Sequence, residues 1–156
     1  MATAYLICGY IGVGKTTLAK QLEVSERAIR FTQDEWMFKL FGNYPEEATF
    51  NEEYLKVNQL INTVWPKCLA LGMNVILDLN FWTRQSRDEA RQIIAALNCE
   101  AKLYYLTCAD DLAWTRIAAR NLNLENGIYV SEKIFKTSQH KLEPLGKDEI
   151  HTEIIT

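Results

Sequence analysis

The sequence predicts an α/β protein in which helices cover both faces of a parallel β-sheet. Short, unbroken apolar segments alternate along the chain with segments of helical periodicity. The apolar segments are residues 4–8, 28–32, 74–80 and 101–108, and residues 150–156 are a weaker candidate for a last strand. Strands that are apolar throughout are buried on both faces, which is typical of parallel sheets between layers of helices.

Helices are expected between these strands. Their predicted ranges are 15–22, 34–42, 52–72, 84–98, 110–121 and 131–142. Gly42 suits a C-cap and Ser131 suits an N-cap. Pro66 should kink or break the helix that contains it. The expected core-facing residues are Leu18, Ala19 and Leu22 in the first helix, Leu55, Leu60, Ile61, Val64, Cys68 and Leu71 in the third, and Ile93, Ile94 and Leu97 in the fourth.

Composition bounds the class of protein. The 156 residues suit a single domain spanning 1–156, and the apolar fraction of 48% is that of a globular chain. A net charge of -3 gives no support to a general nucleic-acid binder. The four cysteines form no CxxC pair, so a structural zinc site is not expected and a reducing compartment is. No apolar run approaches the roughly 18 residues of a membrane span, which favours a cytoplasmic protein.

A phosphate-binding motif follows the first strand. Residues 9–16 match G-x-x-x-x-G-K-[ST], with a buried strand before them and a helix after them. The glycines allow backbone N–H groups to surround an anion at the positive end of the helix. Lysine then reaches the β- and γ-phosphates, and the hydroxyl after it is a ligand for Mg²⁺. The expected nucleotide-binding residues here are Gly9, Gly12, Val13, Gly14, Lys15, Thr16 and Thr17.

Two aspartates stand where strands should end. Asp34 follows the second strand and is a candidate base for the hydroxyl of a phosphate acceptor, or the N-cap of a helix over 35–41. Asp78 closes the third strand and should join Thr16 in holding Mg²⁺, unless it is only a turn residue. Carboxyl ends of parallel strands share one edge of the sheet, so both side chains should lie beside the phosphates.

Arginines and aromatic residues supply the other candidates. Arg116 and Arg120 are four residues apart on one helix face, where they could neutralise a transferring phosphate or form a solvated basic face. Arg84 and Arg87 could hold an anionic acceptor or face solvent. The remaining candidates could line an acceptor pocket or pack in the core: Trp36, Phe38, Phe81 and Trp82.

Several stretches together resemble a known family. They are GYIGVGKTTLAKQL, FTQDEWMFKLFG, VILDLNFWTRQSRDEAR, RIAARN and HKLEPLGKDE. The resemblance is to small P-loop ATP-binding proteins identified as kinases, similar to chloramphenicol phosphotransferase, zeta toxin and the kinase half of polynucleotide kinase. It covers nearly the whole chain.

This resemblance implies a P-loop NTPase fold of the nucleotide-kinase type, with five parallel strands in the order 2-3-1-4-5. It implies ATP or GTP with Mg²⁺, Asp34 as the base, and Arg116 and Arg120 as phosphate-contacting residues of a lid helix. It also implies that the segment around Gly146 and Lys147 lies near the nucleotide base. Polynucleotide kinases carry an arginine where this chain has residues 36–38, so a nucleic-acid end is not the expected substrate.

Three functions therefore stay open. The leading hypothesis is a kinase that phosphorylates a hydroxyl of a small molecule such as an antibiotic, a nucleoside or a sugar-like metabolite. The others are a nucleotide-binding switch with slow hydrolysis, and a toxin-like or nucleic-acid 5′-end kinase. The sequence leaves the acceptor, the choice between ATP and GTP, and the oligomeric state undetermined.

Overall fold

The computed structural model describes residues 1–125 and 127–156, in which strands and helices alternate. The strands are β1 (Thr3–Cys8), β2 (Ile29–Thr32), β3 (Val75–Asp78), β4 (Glu100–Thr107) and β5 (Thr152–Ile155). The helices are α1 (Lys15–Ser25), α2 (Gln33–Phe41), α3 (Phe50–Ala70), α4 (Arg84–Ala96), α5 (Asp110–Asn121) and α6 (Glu132–Lys141). None of the helices in the described ranges has the length and apolar character that crossing a membrane requires.

The five strands form one parallel sheet in the order β2-β3-β1-β4-β5, which confirms the predicted fold class. Thr32 at the end of β2 is paired in register with Asp78 at the end of β3. Cys8 at the end of β1 is in register with Tyr105 of β4. The loops that follow β1, β2 and β3 therefore leave the sheet at the same edge.

Hydrophobic clusters fill the space on both faces of the sheet, and β1 contributes to each. Its Ala4, Leu6 and Cys8 side chains join the cluster under α3 and α4, whereas Tyr5 and Ile7 join the cluster under α1, α5 and α6. All six residues of β1 are buried. A strand buried on both sides is a rigid base for the loop that follows it.

The face by which α3 packs only partly matches the predicted face, with Ile61 buried as expected. Its buried residues are Val57, Ile61, Trp65 and Leu69, a stripe with four-residue spacing. Val64 and Cys68 are partly buried at the edge of the stripe. The expectation was wrong for three leucines, which are 50% or more exposed: Leu55, Leu60 and Leu71. Large apolar residues flank the buried stripe, so the pattern of apolar residues alone made the predicted face too wide.

Other helix details also need correction. Pro66 does not break α3, which continues four residues beyond it to Ala70, and a kink there stays a prediction. Burial of Trp65 and Leu69 on either side keeps that turn packed against the sheet. In α4, Ile94 is buried as predicted, but Ile93 is 38% exposed. Ser131 does cap α6, because its side chain accepts a hydrogen bond from the Ile134 N–H.

Candidate active site

The loop between β1 and α1 has the backbone shape of an anion cradle. Gly12 and Gly14 have φ values of 89° and 98°, in the left-handed region that favours glycine. A Cβ atom on Gly12 would lie 2.7 Å from the Ala113 carbonyl oxygen of α5. The loop is thus pressed against α5, and larger residues are excluded at this position.

Three carbonyl groups of this loop are held by side chains from separate elements. The Trp82 indole N–H donates to the Gly9 carbonyl over 3.0 Å, and the Lys15 ammonium donates to the Tyr10 carbonyl over 2.8 Å. The Thr156 hydroxyl donates to the Val13 carbonyl over 2.9 Å. With these carbonyls occupied, the N–H groups of successive residues can converge on a bound anion.

A cavity of about 480 Å³ opens in front of the loop. It is lined by many of the residues predicted from the sequence, namely Gly12, Gly14, Lys15, Thr16, Thr17, Asp34, Asp78, Arg116 and Arg120. Gly9 and Val13 lie behind the cradle and do not line the cavity. The strands therefore bring the motif, both carboxylates and both arginines of α5 to one place.

Asp78 lies at the centre of a group of oxygen atoms. Its Oδ2 accepts hydrogen bonds from the Thr16 hydroxyl at 2.7 Å and from the Thr32 hydroxyl at 3.3 Å. Burial raises the pKa of Asp78, while Lys15 and the two hydroxyls oppose that shift. A hydroxyl and a carboxylate side by side at the phosphate cradle are the oxygen ligands that suit Mg²⁺.

Asp34 lies in the first turn of α2, so the prediction that it could cap a helix beginning at residue 35 is wrong. The helix begins at Gln33, and its N-cap position is occupied by Thr32. Within the described residues, the Asp34 carboxylate makes no hydrogen bond or ion pair. Its pKa is raised, first by burial and then by Asp78, whereas Lys15 and Arg120 act in the opposite direction.

The phosphate-binding loop and the sequence around it identify the family to which the chain belongs. A family model described as an AAA domain, AAA_33, matches residues 5–145, most of the chain. The chain belongs to the AAA_33 family. This match confirms the resemblance to P-loop proteins. No curated protein matches the sequence at a significant level.

Solved structures share the fold of this AAA_33 domain. A kinase-like protein from Chloroflexus aurantiacus J-10-fl superimposes with a TM-score of 0.78 and 15% identity, over 99% of this chain and 88% of that chain. A gluconokinase from Sinorhizobium meliloti 1021 has a TM-score of 0.68 and 14% identity, over 98% and 82% of the two chains. The Pnkp1/Rnl/Hen1 RNA repair complex has a TM-score of 0.73 and 15% identity, over 90% and 44%. At such low identity, these likenesses show a shared P-loop kinase fold.

Two residues near Asp34 were missed from the sequence of this AAA_33 domain. Asn80 lines the cavity, and its amide donates to the Tyr54 hydroxyl over 3.0 Å. Burial and the Asp34 charge both raise the pKa of Tyr54, so its hydroxyl stays neutral beside the carboxylate. Asn80 has a φ of 72° two residues after β3, and an asparagine at such a position was the available signal.

The two arginines of α5 differ in what holds them. Arg116 donates to the Thr156 hydroxyl over 2.8 Å, and the same hydroxyl reaches the phosphate loop at Val13. Arg120 also lines the cavity, and its charge acts on both Asp34 and Lys15. Sequence reasoning missed Thr156, because its role depends on β5 lying next to β4.

The aromatic residues predicted for the acceptor pocket do not line this cavity. Phe81 is buried in the core, and Trp36 packs against Phe31 with ring centroids 6.2 Å apart. Phe38 is partly buried outside the cavity, and Trp82 supports the phosphate loop from behind. Their apolar surfaces serve packing, which corrects the expected acceptor role.

Arg84 and Arg87 also lie outside the cavity. Arg87 is fully buried and makes two hydrogen bonds to the Glu149 carboxylate, at 2.7 and 2.9 Å. Arg84 pairs with Asp88 and Asp148. The carboxylate partners satisfy both guanidinium groups, so neither is available to an acceptor.

The segment around Gly146 is part of the same ion-pair group. The Gly146 N–H donates to the Glu149 carboxylate over 3.0 Å, and a Cβ on Gly146 would lie 2.8 Å from Arg84. Neither Gly146 nor Lys147 lines the cavity, and their place near a nucleotide base stays a prediction.

A contact between two loops closes the cavity from the side of α2. The Asn43 amide donates to the Gly127 carbonyl over 2.7 Å, and the Tyr129 N–H donates to the Asn43 carbonyl over 2.8 Å. The Tyr44 and Tyr129 rings stack with centroids 5.6 Å apart. Gly127 and Ile128 line the cavity, so this contact fixes one of its walls.

Proposed function

We propose that the protein is a Mg²⁺-dependent kinase that transfers the γ-phosphate of ATP to a hydroxyl group of a small molecule. The observation that carries this proposal is the free carboxylate of Asp34. It lies in the same cavity as Lys15 of the phosphate cradle and has no partner in the parts of the chain that the structure describes. Transfer to an alcohol needs a group that orients the hydroxyl and takes its proton, and this carboxylate supports that role.

In this mechanism, the cradle and its surroundings bind the donor. Backbone N–H groups of the loop hold the phosphates, and Lys15 reaches the β- and γ-phosphates. Thr16 and Asp78 would hold Mg²⁺, which supplies neutralisation of the phosphate oxygens when bound. Arg116 and Arg120 offset the negative charge that spreads over the transferring group.

Asp34 acts on the acceptor. It orients the acceptor hydroxyl and takes its proton as the oxygen attacks the γ-phosphorus, and the bond to the β-phosphate oxygen breaks to release ADP. The raised pKa of Asp34 makes the carboxylate a better proton acceptor than an exposed aspartate. Asn80 lines the cavity and can contact the acceptor, while its amide is held by the Tyr54 hydroxyl.

The test is transfer of label from γ-labelled ATP or GTP to a pool of sugars, nucleosides, antibiotics and a 5′-hydroxyl oligonucleotide. Asp34→Asn should lower the transfer rate by about 10²–10⁴-fold, the usual contribution of a general base. Nucleotide affinity should stay unchanged. Glu52→Gln is the control, because Glu52 is exposed and pairs only with Lys56 in the contacts described.

Two outcomes would change the assignment. Label that goes only to water, at equal rates in the wild type and Asp34→Asn, would reject the kinase in favour of a nucleotide-dependent switch. Label on the oligonucleotide alone would make the protein a 5′-end kinase, a fold relative of the RNA repair complex described above.

A further inference from the structure

The arrangement of arginines around the cavity restricts the charge of the acceptor, provided that the protein is the proposed kinase. The cations that line the cavity in the described residues are Lys15, Lys20, Arg116 and Arg120. Lys15 is part of the phosphate cradle. Arg116 and Arg120 belong to α5, which packs directly against Gly12 of the cradle. These three groups therefore serve the donor phosphates.

On the side of α2, the charges are already paired. Glu35 lines the cavity and lies 3.0 Å from the Arg30 guanidinium and 3.9 Å from the Lys20 ammonium. Arg30 also contacts Glu23 at 2.8 Å, so it faces two carboxylates. Arg30 and Lys20 on this side thus both have acidic partners.

On the side of α4, the guanidinium groups are held in the same way. Arg87 and Arg91 both contact Glu149, which is buried. Arg84 contacts Asp88 and Asp148. The arginines that follow β3 are consequently directed into their own ion-pair group and away from the acceptor.

The acceptor end of the cavity is left with the unpaired Asp34 carboxylate, the Asn80 amide and the nearby Glu35. A donor phosphate would add further negative charge. A carboxylate or phosphate on the acceptor would meet these like charges. Among the described residues, each cation that lines the cavity either has an acidic partner or faces the donor phosphates, so binding of an anionic acceptor is strongly disfavoured.

We infer that the acceptor is a hydroxyl compound without a carboxylate or phosphate group. It is either neutral, like a polyol or nucleoside, or carries an amine, like an amino sugar. Both types offer the hydroxyl that Asp34 requires, and neither needs a guanidinium partner.

The experiment compares two matched pools of compounds. One pool contains sugars, polyols, nucleosides and amino sugars. The other contains the corresponding sugar acids, sugar phosphates and nucleoside monophosphates. Thermal stabilisation of the protein is measured with Mg²⁺ and a non-hydrolysable ATP analogue, and label transfer is measured with γ-labelled ATP.

Stabilisation and labelling by the first pool alone are expected, and dividing that pool separates neutral from amine-bearing compounds. Stabilisation by the anionic pool, or by neither pool, would overturn the inference. Stabilisation by the first pool without label transfer to any compound would instead reject the kinase, because binding and chemistry are read separately.

A gain-of-function variant sharpens the test. Glu35→Gln removes a carboxylate that lines the cavity and pairs with Arg30 and Lys20. Binding of the anionic pool should improve by about threefold or more, which is the scale of a partly exposed charge pair. Glu23→Gln is the matched control, since Glu23 contacts the same Arg30 but does not line the cavity. Equal binding of anions by the two variants would contradict the role given to Glu35.

Discussion

At the scale of single residues, Asp34 opposes the stability of the fold that contains it. Its pKa is raised in the folded state, so folding favours its protonated form. The stability gained from the protonated Asp34 is present below the pKa of the unfolded chain and is lost as the pH rises through the folded pKa. At neutral pH the ionised carboxylate therefore destabilises the fold. Asp34→Asn should therefore raise the free energy of unfolding by about 1 kcal/mol while lowering transfer. Denaturant melts at pH 7 check this, and an unchanged or lowered stability would contradict it.

The same residue determines how the reaction depends on pH. Asp34 must be ionised to accept a proton, so kcat/KM should fall on the acid side as the pH drops through its pKa. Because burial and Asp78 raise that pKa, the acid limb should lie above the ordinary aspartate value of about 4. A pH–rate profile measures the limb. A limb of the same position in Asp34→Asn would assign it to another group.

At the scale of elements, Glu149 joins α4 to the segment before β5. Hydrogen bonds from Arg87 lower the pKa of Glu149, the Gly146 N–H and Arg91 lower it further, and burial opposes them. A lowered folded pKa contributes stability above the unfolded value of about 4.3 and loses it as the pH falls towards the folded pKa. The protein should therefore lose stability below about pH 4.

Breaking the Arg87–Glu149 ion pair measures its contribution to the free energy of unfolding. Glu149→Gln leaves the Arg87 guanidinium buried without its carboxylate, which should cost about 3–5 kcal/mol. Asp148→Asn is the control, because Asp148 contacts Arg84 at the surface, where solvent screens the pair and its loss should change stability little. Urea melts of both variants separate the two cases, and equal losses would show that burial of the pair is unimportant.

The contact between the two loops at Asn43 is a second element-scale feature. Asn43→Ala removes the amide that donates to the Gly127 carbonyl and leaves the backbone bond to Tyr129. KM for the acceptor should rise by about two- to tenfold, since one neutral hydrogen bond is worth about 0.5–1.5 kcal/mol. Nucleotide affinity should stay the same. A change confined to nucleotide affinity would place the contact on the donor side.

At the scale of the whole molecule, the sequence predicted most reliably what the sheet topology enforces. Strands that end at one edge bring Lys15, Asp34 and Asp78 together whatever the details of the loops. The predictions failed where a side chain has a partner far along the chain. Arg87 meets Glu149 across 62 positions, and nothing local to either residue indicates the pairing. Whether Trp36 and Phe81 pack in the core or line the cavity likewise depends on neighbours that meet only in the folded protein.

The hydrogen bond between Trp82 and the Gly9 carbonyl places an intrinsic fluorophore in contact with the phosphate loop. Indole emission responds to what its N–H group contacts, and a phosphate that reshapes the loop changes that contact. Nucleotide arrival should thus be visible in ultraviolet fluorescence without a dye. Trp82→Phe should reduce the signal, while Trp36, Trp65 and Trp114 supply the remaining emission. The cradle can be followed in real time, on a stopped-flow instrument, in the unmodified chain.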